Sequence, residues 1–207
     1  MRVAGGNEKG RRLKGAVSPG TRATTERVRA AIFNILDPEQ YQGGRVLDLF
    51  AGSGSLGIEA LSYGAGWTDF VEWDRRQGDV ITSNLETTSL ASQGHVHRLD
   101  VLQALQTLPG AYDLVLLDPP YKMVGLDSLL EKIASQAGLV VDGGVVIVGH
   151  SKREILKQTY GPLRLTSHRQ YGDNVVDFFV YERDSDISEP QETLEGVDND
   201  EDGSLSW

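Results

Sequence analysis

The chain reads RVLDLFAGSGSLG at residues 45–57, and this stretch decides the fold. Its first six residues form a short apolar run typical of a buried strand, and the helical pattern Ser55–Ser62 follows directly. Between the two lies a G-x-G-x-x-G triplet formed by Gly52, Gly54 and Gly57. Glycines allow a tight turn and a close approach of backbone to ligand, while the first turn of a helix offers unpaired N–H groups. The stretch therefore predicts a strand, a loop that can bind a ligand, and a helix.

The glycine triplet alone leaves several ligands open. The same pattern binds a nicotinamide or flavin dinucleotide or S-adenosylmethionine, and it also occurs as a purely structural turn. A P-loop is excluded, because Ile58 stands where its lysine must follow the last glycine. The Gly-x-Ser-x-Gly pattern of a nucleophile elbow is also absent from this loop.

Strand-like and helix-like segments alternate through the body of the chain. The strand-like runs are Arg45–Phe50, Asp69–Trp73, His95–Leu99, Tyr112–Asp118 and Gly144–Gly149, and the helical patterns between them are Ser55–Ser62, Arg75–Thr87 and Leu126–Ala137. This alternation predicts an open parallel sheet with ligand sites at the carboxyl ends of its strands. Pro162–Tyr171 and Asn174–Tyr181, around Gly172-Asp173, then predict an antiparallel hairpin.

Before this body, two further elements are predicted. Thr24 or Thr25 is expected to cap a helix that runs to Leu36, because Val28, Ile32 and Ile35 recur at helical spacing. The segment Arg2–Gly15 is rich in glycine and basic residues and is expected to form a small hairpin.

Charge divides the chain into three parts. The 207 residues carry a net charge of −10, yet residues 1–36 hold eight basic and two acidic residues, and residues 184–207 hold nine acidic and no basic residues. The first part predicts either a contact with a polyanion or a solvated basic hairpin. The last part predicts a disordered tail, because it has too little apolar surface to fold. The chain has no cysteine, no apolar run long enough to span a membrane and no signal peptide pattern, so a cytoplasmic protein is expected.

Three acidic residues stand where predicted strands end. Asp48 precedes Gly52 by four residues and can either hold the glycine loop or contact an amino-acid head group. Glu72 lies about 20 residues after the loop, at the position that accepts ribose hydroxyls in dinucleotide folds. Asp100 can reach an adenine amino group. Glu72 and Asp100 can each instead be a solvated residue at a strand end. Glu72 suits NAD and S-adenosylmethionine equally well.

The fourth strand ends in the motif Asp118-Pro119-Pro120-Tyr121. Two prolines remove two backbone donors and fix φ, so the Asp118 carboxylate and the Pro119 carbonyl form a rigid corner that only accepts hydrogen bonds. Such a corner suits an NH₂ group, because two acceptors hold its hydrogens and leave the nitrogen lone pair directed at an electrophilic methyl. Tyr121 offers a flat face for stacking a base. The alternative is a structural Pro-Pro turn with a packed tyrosine.

At this point the chain resembles a known family. Asp-Pro-Pro-Tyr after the fourth strand is similar to the motif of S-adenosylmethionine-dependent amino-methyltransferases, and further stretches resemble the RsmD-type methyltransferases, which methylate N2 of a guanine in 16S ribosomal RNA. The resemblance extends over residues 1–182. Its stretches, in family order, are residues 1–14, Thr21–Arg29, Ile32–Leu36, Val46–Ala60, Phe70–Arg75, His150–Arg153 and Tyr171–Asp173.

The resemblance implies a fold and a division of the chain. The fold is α/β, with a doubly wound, mostly parallel, seven-stranded Rossmann-like methyltransferase sheet, a C-terminal antiparallel hairpin and a small basic N-terminal extension. Residues 1–40 form the RNA-contacting extension, 41–183 the methyltransferase domain and 184–207 the acidic tail. Ala23 and Gly149 depart from the family pattern, which usually has proline and often glutamate at these positions.

The resemblance also implies sites and partners. It implies that the cofactor is S-adenosylmethionine and that no metal is needed. It implies that the substrate is ribosomal RNA or a small-subunit assembly particle. It also implies a cytoplasmic monomer without a membrane partner. The four histidines His95, His97, His150 and His168 need no catalytic role. The implied site residues are catalytic Asp118, Pro119, Pro120 and Tyr121; cofactor-binding Asp48, Phe50, Ala51, Gly52, Ser53, Gly54, Glu72, Asp100 and Val101; and RNA-binding Arg11, Arg12, Lys14, Arg22 and Arg27.

Three other functions remain open from the residues themselves. An amino-methyltransferase acting on DNA adenine N6 or on protein glutamine shares the Asp-Pro-Pro-Tyr chemistry, although 207 residues leave no obvious domain for DNA recognition. An NAD oxidoreductase would use the same glycine loop but would leave Asp118–Tyr121 without a role. A non-enzymatic RNA-binding assembly factor would keep the fold without the reaction.

Overall fold

A computed structural model describes residues 1–15, 25–120 and 123–183. Its helices are α1 (Glu26–Ile35), α2 (Ser55–Ser62), α3 (Arg75–Thr87), α4 (Val101–Thr107) and α5 (Leu126–Ser135). Its strands are β1 (Arg45–Asp48), β2 (Trp67–Val71), β3 (Gly94–His97), β4 (Tyr112–Leu117), β5 (Val140–Ser151), β6 (Thr159–Tyr160), β7 (Leu163–Tyr171) and β8 (Asn174–Tyr181).

The strands form one sheet in the order β3-β2-β1-β4-β5-β8-β7-β6. The first five strands in this order are parallel to one another, and β8, β7 and β6 add antiparallel pairings. The order reverses at β1, from which the chain winds first toward β3 and then toward β4 and β5, as in a doubly wound fold. The predicted fold class is confirmed.

The sheet has eight strands where the sequence predicts seven. The additional strand is the edge strand β6, whose two residues pair with Arg164 and Leu163 of β7. A strand of two residues leaves no alternation in the sequence, so periodicity does not predict it. The short helix α4 is missed for a similar reason, because its seven residues make only two turns.

The predicted boundaries of two helices, α2 and α3, agree with the structure. At α1, Thr25 is the N-cap, with its hydroxyl accepting from the Val28 N–H at 3.4 Å. Helix α5 ends two residues earlier than predicted. Strand β5 begins at Val140 instead of Gly144, because pairing with β4 continues through a register shift that Gly143, at φ +77°, accommodates.

Two apolar cores cover the two faces of the sheet. On one face α1, α2 and α3 pack on β1, β2, β4, β5 and β8, with Phe70 and Ile81 fully buried. On the other face α4 and α5 pack on the same strands, with Val115 and Phe179 fully buried. Burial on both faces explains why the parallel strands read as nearly continuous apolar runs.

The N-terminal segment forms the small hairpin that the sequence predicts, closed by an antiparallel bridge between Arg2 and Arg12. Its two buried side chains, Val3 and Leu13, join the core beside α2 and α3. The Lys14 N–H also donates to Asn84 Oδ1 of α3 at 2.8 Å. The hairpin is therefore packed against the body by both apolar and polar contacts.

Several predictions lie outside the described residues: the catalytic role of Tyr121, the RNA contact of Arg22, the turn at Ala23 and the tail 184–207. In the described ranges, no helix has the length and apolar character needed to cross a bilayer. In the same ranges, His, Asp and Glu side chains form no group of three that could ligate a metal ion.

Candidate active site at the carboxyl edge of the parallel strands

The parallel strands bring three predicted site residues to one edge of the sheet. Asp48 ends β1 and pairs in register with Phe70 of β2 and Leu116 of β4. Glu72 and Asp118 each follow the last residue of their strand, β2 and β4. The three carboxylates influence one another electrostatically, because those of Asp118 and Glu72 both raise the pKa of Asp48. The predicted acids therefore belong to one site.

The glycine loop turns sharply between β1 and α2. Gly52 and Gly54 have φ values of +54° and +75°, in the left-handed region that favours glycine. At Gly54 a Cβ would also lie 2.9 Å from Cγ2 of Ile81. At Gly57 a Cβ would lie 2.4 Å from Phe70 Cε1, so this glycine lets α2 pack closely against β2. The three glycines thus shape the loop and seat the helix that follows.

Asp48 holds the end of this loop through its buried carboxylate. Its carboxylate is 1% exposed, and Oδ2 accepts from the Gly57 N–H at 3.0 Å. Oδ1 is buried without a hydrogen-bond partner among the described residues. Burial raises the pKa of Asp48 to about 7, with the Gly57 N–H opposing the rise and the carboxylates of Asp118 and Glu72 adding to it. Of the two predicted roles, this geometry favours holding the loop.

Glu72 links the second strand to the glycine loop. Its Oε2 accepts from the Gly52 N–H at 3.0 Å, and its Oε1 accepts from the Asp74 N–H at 2.9 Å. The side chain is half-buried, and this burial is the main reason that its pKa is raised. A carboxylate has about four acceptor positions, so these contacts leave room for a ribose hydroxyl to donate.

The remaining predicted cofactor residues lie at the start of α4 and in the glycine loop. Asp100 is exposed at the N-cap of α4, where Oδ1 accepts from the Gln103 N–H at 3.0 Å, so one of its acceptor positions serves the helix. Val101, the first residue of α4, is half-buried. In the loop itself Phe50 is half-buried, whereas Ala51 and Ser53 are buried.

The Asp-Pro-Pro corner lies between β4 and β5. The Met123 N–H donates to the Pro120 carbonyl at 2.8 Å, so a hydrogen bond fixes the chain directly after the two prolines. A Cβ at Gly149 would lie 2.8 Å from Asp118 Oδ1, so the Asp118 carboxylate lies directly against the backbone of β5. The departure at Gly149 thus leaves room for the Asp118 side chain.

Two recesses flank this corner. The first contains Asp118 in an otherwise apolar wall: Ile32, Leu56, Leu116, Leu117, Ile147, Gly149 and Val176. The second is lined by Pro119, Pro120, Met123, Leu126, His150, Ser151 and Glu154. The corner is therefore supported from both sides by residues of β5 and its following loop. The Asp118 carboxylate accepts hydrogen bonds, so it suits an NH₂ group that donates them. Together with the nearby carboxylates of Asp48 and Glu72, it also favours a cationic ligand.

The predicted RNA-binding residues differ in how freely they can bind phosphate. Arg11 forms an ion pair with Glu8 at 2.5 Å and donates to the Thr87 carbonyl at 3.0 Å. Lys14 Nζ donates to Ser83 Oγ at 2.7 Å. Arg12 and Arg27 are exposed and, in the part of the chain that the structure describes, have no ion pair. These last two are the cations most available to a polyanion.

Sequence reasoning misses three residues near these sites. Arg29 counts with the basic arm by sequence, but it is fully buried and pairs with Glu59 of α2 at 3.2 Å, so it adds nothing to the surface charge. Trp73 directly follows Glu72 and is 77% exposed at the edge of the site. His150 lines the second recess. Of the three, only Trp73 could have been found from the sequence, because it directly follows Glu72. The positions of Arg29 and His150 depend on tertiary packing.

The chain is similar to proteins already known. The sequence model of the family described as "Conserved hypothetical protein 95" matches residues 1–180. The chain is 39% identical over 175 residues to the "Putative rRNA methyltransferase YlbH" of Bacillus subtilis (strain 168), covering 83% of this chain and 94% of that protein. It is 31% identical over 185 residues to the "Ribosomal RNA small subunit methyltransferase D" of Escherichia coli (strain K12), covering 89% and 91%. The solved structure of the "Putative methyltransferase yhhF from Escherichia coli" matches with a TM-score of 0.77 and 28% identity, covering 88% of this chain and 98% of that one.

Proposed function

The chain belongs to the family described as "Conserved hypothetical protein 95", the RsmD-type methyltransferases, and we propose that it transfers a methyl group from S-adenosylmethionine to the exocyclic N2 amine of a guanine in 16S ribosomal RNA. One observation carries the proposal. The Asp118–Pro119–Pro120 corner and the glycine loop Gly52–Gly54 lie at the same edge of the sheet, joined by the carboxylates of Asp48 and Glu72. A methyl donor and an amine acceptor need two adjacent sites of these kinds.

The residues at the edge fit the cofactor. S-adenosylmethionine, when bound, supplies an electrophilic methyl on a cationic sulfonium. Three neighbouring carboxylates provide a negative field for that cation. The remaining acceptor capacity of Glu72 suits the ribose hydroxyls, and the absence of a side chain at Gly52 leaves open space beside the loop for the ligand.

The corner acts on the amine of the base. A guanine turned out of its RNA surroundings presents its N2 to the Asp118 carboxylate and the Pro119 carbonyl, which accept the two N–H groups. This arrangement directs the nitrogen lone pair toward the methyl, so alignment supplies most of the rate acceleration. A strong base is unnecessary, because the proton becomes acidic only when the nitrogen turns cationic. Asp118 or water then accepts it.

The proposal includes the compartment, the oligomeric state and the form of the substrate. We place the enzyme in the cytoplasm as a monomer that acts on ribosomal RNA, either naked or in a small-subunit assembly particle. Residues 1–40 act as the RNA-contacting extension and residues 41–183 as the methyltransferase domain.

A transfer assay with labelled S-adenosylmethionine tests the function. The purified protein is offered small subunits, assembly intermediates, naked 16S RNA, DNA and protein, and the modified nucleoside or residue is identified by mass spectrometry. We expect N2-methylguanosine in RNA. Methyladenine in DNA or methylglutamine in protein would replace the proposal with another amino-methyltransferase. No transfer, combined with no binding of the cofactor, would leave a non-enzymatic RNA-binding factor.

The basic hairpin is expected to control RNA affinity. Replacing Arg11, Arg12 and Lys14 with alanine should weaken RNA binding and reduce the slope of log affinity against log salt by about 0.7–0.9 for each phosphate that the variant no longer neutralises. Arg12→Ala alone should reduce the slope by the amount expected for one phosphate, because Arg12 has no ion pair among the described residues. Fluorescence anisotropy between about 50 and 200 mM salt measures both quantities.

Two checks accompany this prediction. Lys157→Ala removes an exposed cation whose Nζ is paired with Glu131 at 2.7 Å, and it should leave the salt slope unchanged. Cofactor affinity should be the same in all variants. An unaltered slope in the triple variant would remove the hairpin from the RNA interface.

Cofactor binding is expected to strengthen as pH rises through 7. The pKa of Asp48 lies at about 7, since the side chain is buried near two other carboxylates. A cationic ligand favours the ionised form of Asp48, so binding lowers its pKa and releases a proton. Between about pH 6 and 8 the affinity for S-adenosylmethionine should rise by roughly fivefold to tenfold, as for a pKa lowered by about one unit. Calorimetry in buffers of different ionisation enthalpy measures the affinity and the released proton.

S-adenosylhomocysteine provides the matched control for this measurement. It lacks the sulfonium charge but retains every other charged group, so its affinity should change little over the same range. Asp48→Asn keeps an oxygen that can accept from the Gly57 N–H and should abolish the proton release. Equal pH dependence for the two ligands would show that the field of these carboxylates does not act on the sulfonium.

A further inference from the structure

Three titratable side chains form a row across the antiparallel part of the sheet. They are His150 of β5, His168 of β7 and Asp177 of β8. Asp177 Oδ2 lies 3.0 Å from His150 Nε2, and Asp177 Oδ1 lies 2.6 Å from His168 Nδ1. Asp177 and His150 are buried, whereas His168 is more than half exposed. One buried carboxylate therefore binds two imidazoles in very different surroundings.

The buried imidazole faces acceptors on both of its nitrogens. His150 Nε2 meets the Asp177 carboxylate, and His150 Nδ1 lies 3.0 Å from the Ser151 carbonyl oxygen. A neutral imidazole can donate from only one nitrogen, so the imidazolium is the form that satisfies both contacts. Burial alone would lower the pKa of His150, but Asp177, the Ser151 carbonyl and Glu154 outweigh it and raise the pKa.

The position of His150 connects it to the proposed catalytic corner. Its ring lines the recess that Pro119, Pro120 and Met123 also line. The preceding residue, Gly149, lies against Asp118 in the recess on the other side. Successive residues of β5 point to opposite faces of the sheet, so these two neighbours support the corner from both sides.

We propose that His150 is a positioning residue for methyl transfer: its charged imidazole, fixed by Asp177 and the Ser151 carbonyl, holds the Pro119–Pro120 turn against β5. This inference rests on the proposed function, because it assigns the turn a role in presenting the Asp118 and Pro119 acceptors to an amine. The imidazolium itself touches neither the substrate nor the cofactor.

The charged groups around His150 fix the direction of the pH dependence. Asp177 faces it from β8, His168 reaches the same carboxylate from β7, and Glu154 faces it from the loop after β5. From the other side of the recess, Leu126 of α5 contributes an apolar side chain. When the pH rises above the raised pKa of His150, the ring loses one of its two donors. The turn then loosens, and the transfer rate falls on the alkaline side.

The test compares His150→Gln with His168→Gln. Glutamine at position 150 can still donate to Asp177 but carries no charge and cannot also reach the Ser151 carbonyl. His168 shares the same carboxylate, does not line the recess and serves as the matched control. The first readout is hydrogen exchange of the Met123 amide, which donates to the Pro120 carbonyl. The second is the single-turnover rate of methyl transfer to RNA as a function of pH.

We expect exchange at Met123 to rise and the transfer rate to fall by about tenfold each in His150→Gln, with cofactor affinity within about twofold and the alkaline decline of the rate absent. His168→Gln should behave as the wild type. If His150→Gln folds and keeps wild-type exchange and pH dependence, the inference is wrong. If that variant does not fold, the imidazole of His150 is titrated by NMR in the wild-type protein. A Met123 protection factor, which corrects exchange for its intrinsic base catalysis, that stays constant through the titration overturns the inference. A wild type that methylates no RNA contradicts the proposed function instead, because the Met123 readout needs no activity.

Discussion

Replacing Asp118 with alanine is expected to lower the rate of methyl transfer by about a thousandfold, with S-adenosylmethionine affinity unchanged within a few-fold. In the reaction that we propose, catalysis depends on alignment and on acceptors that hold the amine, contributions that reach several kcal/mol of transition-state stabilisation. Asp118 would supply one of the two acceptors. It follows β4 beside Gly149, and no neighbouring side chain of the described recess can replace its carboxylate. Single-turnover kinetics with labelled cofactor and small subunits measures the rate, and calorimetry measures the affinity.

Asp118→Asn is the matched control for this variant. Its amide oxygen still accepts one hydrogen bond, whereas the charge is lost, so we expect a loss of about tenfold. The difference between the two variants separates the contribution of the acceptor from that of the carboxylate charge. An alanine variant that retains more than about a tenth of the wild-type rate would contradict the proposed role of the corner.

The parts of the molecule that could be predicted from sequence are those set by local patterns. The run from Arg45 into Gly52 and Gly54 predicts strand, left-handed turn and helix, because glycine tolerates the positive φ values that the turn requires. Helical periodicity is similarly local, and the bounds of α2 and α3 agree with the structure. The topology then brings Asp48, Glu72 and Asp118 together, since parallel strands end at one edge.

Other features depend on contacts between distant parts of the chain, and no local pattern signals them. The direct bond from Gly52 N–H to Glu72 shows that the acid of the second strand already holds the glycine loop, a contact 20 residues apart. Gly149 reads as a departure from the family pattern, but in the structure it makes space for Asp118. Arg29 counts as a surface charge in any tally of the basic arm, although packing buries it completely.

Arg29 and Glu59 form the polar centre that attaches the N-terminal hairpin to the body. Glu59 accepts from the Ala4 N–H at 2.9 Å, from the Gly5 N–H at 2.7 Å and from Arg29 Nε at 3.2 Å. Arg29 Nη2 donates in turn to the Arg2 carbonyl at 2.5 Å. Both side chains are fully buried, so each charge depends on the other for compensation.

Arg29→Met is therefore expected to destabilise the protein by about 3–5 kcal/mol at pH 7, because it leaves the Glu59 carboxylate buried without its cation. For a chain of this size the melting temperature should fall by about 10 °C. Thermal unfolding followed by circular dichroism measures the loss. Arg27→Met, on the exposed side of the same helix, is the control and should change the melting temperature little.

The pH dependence distinguishes a lost ion pair from lost packing. Burial raises the pKa of Glu59 in the folded state, so the folded protein binds more protons than the unfolded chain above the ordinary glutamate pKa, and ionisation costs stability as pH rises. Without Arg29 this cost is larger, so the destabilisation should be greater at pH 8 than at pH 5. Adding Glu59→Gln to Arg29→Met removes the unpaired charge but keeps an oxygen for the Ala4 or Gly5 N–H, and should recover part of the stability at pH 8. A loss that is independent of pH and unaffected by the second substitution would mean that Arg29 contributes only through its volume, and the hairpin would then depend on its apolar contacts and on polar contacts such as that of the Lys14 N–H with Asn84.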